Sequence, residues 1–183
     1  KEMYRHRYQM TYGYYYGRAA VKEEGKWFHI DLKGAPAYNE RFSWVGNFQE
    51  GACPVRAHDG AFYHLDPNGN RLYKDSYSYV GDYKYGLACV YSSEGKAHHI
   101  DTAGNAIYDS VFDEIGVFHK GYAIARISDD WFHIDRQGKA IYDARFSAVE
   151  PFYNGISFTR LTDGSKAFID ESGKIIARLE RKS

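Results

Sequence analysis

Apolar side chains in this chain fall into short alternating runs and nowhere sustain the 3.6-residue spacing of an amphipathic helix. The clearest runs are Trp27-Phe28-His29-Ile30-Asp31, Phe62-Tyr63-His64-Leu65-Asp66 and Trp131-Phe132-His133-Ile134-Asp135. Successive side chains of a strand point to opposite faces, so Phe28 and Ile30 share one face and Trp27, His29 and Asp31 the other. A second set, Ala52-Cys53-Pro54-Val55-Arg56, Leu87-Ala88-Cys89-Val90-Tyr91 and Tyr122-Ala123-Ile124-Ala125-Arg126, is apolar on both faces and predicts a strand covered on both sides. Glu24-Gly25, Asp59-Gly60, Glu94-Gly95 and Asp163-Gly164 lie between the two sets and predict hairpin turns. Residues 42–48 form a further strand candidate, in which Gly46, and its counterparts Gly81 and Gly116, break the alternation. That break predicts a bulge or bend at positive φ. Arg71-Leu72-Tyr73 and Ala106-Ile107-Tyr108 predict a short fourth strand.

These elements recur at a fixed step. Asp31, Asp66, Asp101, Asp135 and Asp170 follow one another at intervals of 35, 35, 34 and 35 residues, each with a glycine three positions later. Gly17, Gly51, Gly86, Gly121 and Gly155 keep the same step, as do Tyr14, Phe48, Tyr83, Phe118 and Phe152. The slot two residues after that glycine holds Ala19, Cys53, Ala88, Ala123 and Ser157, always small, as a strand needs where another backbone comes close. The chain therefore reads as one all-β domain of five units, 4–37, 38–72, 73–107, 108–141 and 142–176, with 177–183 as a tail. An open β-solenoid needs atypical caps at its ends, whereas a closed ring has none to protect. The five equivalent units predict a small five-bladed propeller-like ring that brings Tyr4 near Arg178, with stacked hairpins as the alternative.

Gly25-Lys26-Trp27-Phe28-His29-Ile30-Asp31, closed by Gly34 and followed by Phe48, Gly51, Cys53 and Val55, resembles the WG or KWG repeat of bacterial proteins. The chain differs in carrying Phe or Tyr where that family commonly has the glycine of its name, and His in the next slot. The resemblance implies a β-rich repeat array, commonly a module of a larger protein, and it brings no catalytic residue with it. The opening residue, Lys1 rather than methionine, fits a segment of a longer chain.

Charge narrows the partners. The 24 basic and 24 acidic residues cancel, which leaves no positive field for a phosphate backbone and speaks against nucleic acid. No run of about 18 apolar residues predicts a membrane-spanning helix. Cys53 and Cys89 occupy slots that differ by one and should face apart, so no disulfide is expected; two small buried thiols fit a reducing compartment, and hence a cytoplasmic address, or a protein indifferent to redox.

His29, His64, His99 and His133 share one slot, and converging imidazoles could hold a metal. The fifth copy has Phe168 there, which supplies bulk without a lone pair, so the slot is read as a packing plate and no metal or other cofactor is expected. The neighbouring aspartates carry the turn signature of a carboxylate that accepts backbone amides. No nucleophile recurs beside them, and the best non-repeated titratable pair, His119 with Lys120, makes no catalytic set; the chain reads as no enzyme.

The aromatic excess, 18 Tyr, 11 Phe and 3 Trp, carries the functional expectation, because it exceeds what the repeated core slots use. The slot before the Val45 series varies, with Met10, Trp44, Tyr79, Glu114 and Ala148. Alternation turns it outward, so Trp44 and Tyr79 should lie side by side across a repeat boundary. Arg41, Asn47, Asp82 and Glu150 supply polar neighbours, and Tyr85 and Tyr153 add rings at turns. Amphipathic rings beside polar groups suit contact with a protein or peptide, or with a glycan in a carbohydrate-binding module. A lectin would repeat its site in every unit, and the varying slot favours a protein partner.

Overall fold

The computed structural model describes residues 6–179 of the 183. Tyr4 lies outside them, and with it the expected approach to Arg178. All regular structure among the described residues is antiparallel β. The described residues up to Glu94, together with Ile100–Asn105, form one compact unit, and Gly95–His99 with the residues from Ala106 onward form a second.

The first unit holds β1 (Met10–Tyr15), β2 (Arg18–Glu23) and β3 (Lys26–Ile30), then β4 (Trp44–Val45), β5 (Cys53–Arg56) and β6 (Phe62–Leu65), then the pair β7 (Tyr79–Val80) and β8 (Ala88–Tyr91). The division falls within β9 (Ala97–Ile100). The second unit holds β10 (Glu114–Ile115), β11 (Ala123–Ile127) and β12 (Asp130–Ile134), followed by β13 (Ala148–Val149), β14 (Ile156–Arg160), β15 (Lys166–Asp170) and β16 (Ile175–Leu179). Sheet order is chain order: β1-β2-β3, β4-β5-β6, β10-β11-β12 and β13-β14-β15-β16. The two long strands pair in one register in four repeats, Ala19 opposite Ile30, Cys53 opposite Leu65, Ala123 opposite Ile134 and Ser157 opposite Ile169.

The small slot is buried in all five copies, and Val21, Phe28, Ile30, Val45, Phe48, Val55 and Leu65 pack with it as one apolar cluster of the first unit. The hairpin turn before it is set by backbone geometry. Glu50 and Gly51 both have positive φ, 49° and 82°, as a two-residue turn matching the twist of its strands requires, and the same holds at Tyr85 and Gly86. The aspartates have the predicted occupation. The Asp31 carboxylate accepts the amides of Lys33 and Ala35 at 2.8 and 2.9 Å, with the same pair of contacts at Asp66, Asp101, Asp135 and Asp170. The Ala35 amide holds the Asp31 carboxyl below its ordinary range. Gly69, Gly104, Gly138 and Gly173 of these turns also make room for a tyrosine: a Cβ on Gly69 would lie 2.5 Å from that of Tyr38.

Three expectations about strands fail, and the two that concern strand length fail for one physical reason. From the second repeat on, the first strand is two residues long rather than seven, whereas β1 of the first repeat runs six residues with a register shift between Thr11 and Tyr14; Gly46, Gly81 and Gly116 are not at positive φ; and Arg71-Leu72-Tyr73 makes one bridge, Leu65 to Arg71, instead of a strand. The reason lies in the histidines. The Nε2 of His29 donates to the Gly46 carbonyl at 2.9 Å, and its Nδ1 accepts from the Tyr38 hydroxyl at 2.6 Å. His64 does the same with Gly81 and Tyr73, His99 with Gly116 and Tyr108, and His133 with the Glu150 carbonyl and Tyr142. Each imidazole also packs on the ring of the next repeat, at centroid distances of 4.7, 4.5, 4.5 and 4.1 Å for Phe48, Tyr83, Phe118 and Phe152. The carbonyl that would extend the first strand is thus taken by a histidine, and the tyrosine that would extend the fourth turns inward to reach it. Glycine in the slot still has a use, because a Cβ on Gly46 would come within 2.7 Å of Pro54 and one on Gly116 within 2.7 Å of Ile124. In the fifth repeat Phe168 replaces the histidine, Ala177 stands nine residues on, and there β16 forms a five-residue fourth strand paired with β15, with a register shift between Phe168 and Ile169.

The histidines are therefore two-sided hydrogen-bonding braces between consecutive repeats, and the reading of them as mere plates is corrected. Because both nitrogens are committed, none presents a lone pair to a metal. His64→Phe strands a buried hydroxyl and a buried carbonyl, so it is expected to cost about 2–4 kcal/mol. The pair His64→Phe with Tyr73→Phe recovers part of that loss, as a double-mutant cycle in urea would show. Burial lowers the pKa of all four imidazoles to about 4. The unfolded chain takes up their protons near pH 6.5, so the stability they carry is full above that pH and is lost as pH falls toward 4. At pH 5 the loss is about 2 kcal/mol per histidine. The melting temperature should accordingly drop steeply between pH 6.5 and 5; a flat profile across that interval would contradict the braces.

Candidate interaction surface

The register that sets the core also lines up one row of outward side chains. Trp44 stands opposite Arg56, Arg56 opposite Phe62, and Tyr79 opposite Tyr91, while Phe62 bridges to Tyr77 of the following repeat. The rings make a ladder, Trp44 to Phe62 at 6.3 Å, Phe62 to Tyr79 at 6.0 Å and Tyr79 to Tyr91 at 5.9 Å, with the Arg56 guanidinium 5.7 Å over Phe62. Trp44 and Tyr79 are 39% and 51% exposed, so the ladder is open along its edge. The two rings, expected side by side across the repeat boundary, have Phe62 between them, because the strand register inserts a third ring there. A comparable row elsewhere is shorter. Lys22 lies over Trp27 and Arg126 over Trp131, but Ala97 and Lys166 hold the Phe62 slot in the third and fifth repeats.

Beside the ladder Trp44 forms one wall of a recess of about 250 Å³, whose lining includes Tyr12, Asn47, Gln49 and Asp82. Trp44 is seated there by Gly46, whose added Cβ would lie 3.1 Å from the indole. Tyr12 is fixed by stacking on Trp27 at 5.4 Å, with the two rings 5° from parallel. The structure thus gathers Trp44, Asn47 and Asp82 at one place, with Tyr79 on the adjoining ladder. Asp82 is exposed, yet partial desolvation among its neighbours holds its carboxyl above the ordinary range.

Arg41 does something else. Its guanidinium lies 3.7 Å over the Phe28 ring and donates to the carbonyls of Tyr38, Asn39 and Glu40, so it staples a loop and is no rim to the rings. Arg145, in the same slot, makes the equivalent contacts with Phe132 and the carbonyls of Tyr142, Asp143 and Ala144, and this pairing was a readable sign of a structural role. Tyr85 is exposed at a turn whose amides, Tyr85 and Gly86, are held by the two Glu50 carboxylate oxygens at 2.8 Å each. Glu150 and Tyr153 lie in the second unit. The Glu150 side chain is exposed while its carbonyl serves His133 and the Ser157 hydroxyl. Tyr153 is exposed, with its ring 5.2 Å from that of His119. His119 Nε2 is the one buried side-chain nitrogen or oxygen without a hydrogen-bond partner among the described residues. Sequence reasoning missed Tyr12, Arg56, Phe62 and Tyr91 as members of the surface. Phe62 shares its slot with Trp27 and Trp131 and so looked like core.

The fold defines a class. Solved structures that superpose on the chain are β-propellers: the computationally designed Ika8 protein, at a TM-score of 0.56 and 12% identity over 91% of this chain and 60% of that one; BamB from Moraxella catarrhalis, at 0.52 and 14% over 89% and 58%; and Kluyveromyces lactis Hsv2, at 0.54 and 10% over 90% and 60%. The chain spans about three-fifths of the length of these structures, and the likeness shows a propeller-like β-repeat fold. The family model described as WG containing repeat matches residues 1–27, 100–131 and 131–164, half of the chain, and the protein belongs to that family. No curated protein matches it in sequence. No helix among the described residues is long and apolar enough to cross a membrane.

Arg41→Ala removes a ring-stacked guanidinium and three backbone contacts, and is expected to destabilise the fold by about 1–3 kcal/mol in chemical denaturation. A variant with unchanged stability would return Arg41 to the surface role read from sequence.

Proposed function

We propose that this chain is a non-enzymatic module, a part of a larger bacterial protein, that captures a protein or peptide on the aromatic ladder of its second and third repeats. The observation that supports this reading is the Trp44–Phe62–Tyr79–Tyr91 ladder itself, open at Trp44 and Tyr79, capped by Arg56, and absent in this form from the other repeats. Rigid amphipathic rings lose little entropy on binding, and they anchor interfaces when bordered by polar groups. A propeller-like repeat scaffold suits such a surface, since loop and face residues vary freely while the braces hold the frame. The Asp-x-x-Gly carboxylates are occupied by backbone amides and the histidines by their braces, which favours binding over catalysis. The two buried, free thiols, Cys53 and Cys89, fit a cytoplasmic setting.

The test is capture of partners by the purified chain, run beside a glycan array. Trp44→Ala with Tyr79→Ala is expected to abolish capture, as anchors of this kind cost about 2 kcal/mol or more each. The melting temperature should barely move, because exposed substitutions cost about 0.5 kcal/mol. Retained capture in a folded double variant, or binding confined to glycans, would overturn the proposal.

A further inference from the structure

The recess beside the ladder holds polar groups that the fold leaves unused. The Asp82 carboxylate and the side-chain amides of Asn47 and Gln49 make no hydrogen bond or ion pair among the described residues, and all three line the same space. This contrasts with the other carboxylates that the turns use. Asp31, Asp66, Asp101, Asp135 and Asp170 each close a turn, Glu50 clamps a neighbouring turn, and Asp113 pairs with Lys96. The walls of the recess are the indole of Trp44 and the phenol ring of Tyr12, both exposed and both held in place, the first over Gly46 and the second on Trp27. Three consecutive repeats contribute: Tyr12 from the first, Trp44, Asn47 and Gln49 from the second, Asp82 from the third.

We infer that this recess receives a lysine side chain of the partner peptide, its ammonium group facing the Asp82 carboxylate and its methylenes lying between Trp44 and Tyr12. The inference rests on the peptide-binding reading above and names the chemistry of that same site. Ring faces carry negative electrostatic potential and attract a cation within about 6 Å, most strongly indole. The carboxylate supplies the charge that rings alone lack, and partial removal of water around it makes the pairing stronger than at an open surface. The two amides, whose oxygens accept, complete the hydrogen bonds of an ammonium group with three donors. The volume of about 250 Å³ is of side-chain size. An acidic partner meets an unpaired carboxylate here and is repelled, so charge complementarity selects the basic one.

The test uses the folded chain and two peptides, acetyl-Ala-Gly-Lys-Gly-Ala-amide and the same sequence with its lysine Nε-acetylated, titrated by nuclear magnetic resonance on the Trp44 indole and the Asp82 amide. The lysine peptide is expected to shift both signals and to bind about tenfold more tightly than the acetylated one. Asp82→Asn is expected to erase that difference. Equal affinities for the two peptides, with binding still lost in the Trp44→Ala and Tyr79→Ala double variant, would overturn the lysine assignment and leave the peptide-binding reading standing. A lysine preference retained in Asp82→Asn would also overturn it. Absence of binding by either peptide, together with failed capture of larger partners, would sink both.

Discussion

The histidine between one repeat and the next is the constraint on which the rest of the molecule depends. A repeat of about 35 residues cannot bury both faces of its sheet alone, so its stability comes from its neighbours. In this chain the neighbour contact has direction as well as area. His29, His64, His99 and His133 each bond the tyrosine nine residues on and a carbonyl seventeen residues on, both belonging to the following repeat, and each packs on that repeat's aromatic ring. Apolar packing alone tolerates sliding of one sheet over the next. Two short hydrogen bonds to fixed backbone and a fixed hydroxyl do not, because a displaced imidazole leaves buried polar groups without partners.

This division of labour frees the outward slots. Once turns are closed by aspartate carboxylates, hairpins by left-handed pairs such as Tyr85-Gly86, and repeat junctions by histidine, residues such as Trp44, Tyr79 and Asp82 have no structural task in common. They differ from copy to copy, as residues selected for a particular contact would. The ladder and the recess beside it are built where three such slots, on successive repeats, come into register. The frame is repetitive and the surface is singular, which is the arrangement a binding scaffold needs.

Much of the frame was legible in the chain, because repetition averages out local ambiguity. The five Asp-x-x-Gly turns, the two long strands of each unit and the small buried slot follow from spacing alone, and the structure places them as read. What escaped was long-range. The lone His-to-Phe exchange at Phe168 suggested that ring bulk was all the slot required; the missing clue was Ala177, which shows that the histidine and its tyrosine depart together. The first strand looked longer than it is because hydrophobic pattern does not reveal a carbonyl diverted to a side chain of another repeat. At the surface, Trp44, Asn47, Asp82 and Tyr79 gather as their slots implied, while Phe62 hid among core aromatics and Arg41 posed as a rim residue despite its twin at Arg145. A side chain's slot shows which way it points, and its partners come only from the fold.

The account stands most directly on the protonation state of the braces. Burial keeps the rings neutral, and in a neutral ring a carbonyl on Nε2 and a hydroxyl on Nδ1 allow one arrangement only, with the proton on Nε2. Long-range proton–nitrogen correlation spectra of the imidazoles at pH 6 would read this for each histidine. The account predicts four rings, those of His29, His64, His99 and His133, neutral and protonated at Nε2, with a protonated pyrrole-type Nε2 and an unprotonated Nδ1. Rings that are charged at pH 6, or that carry the proton on Nδ1, would contradict it.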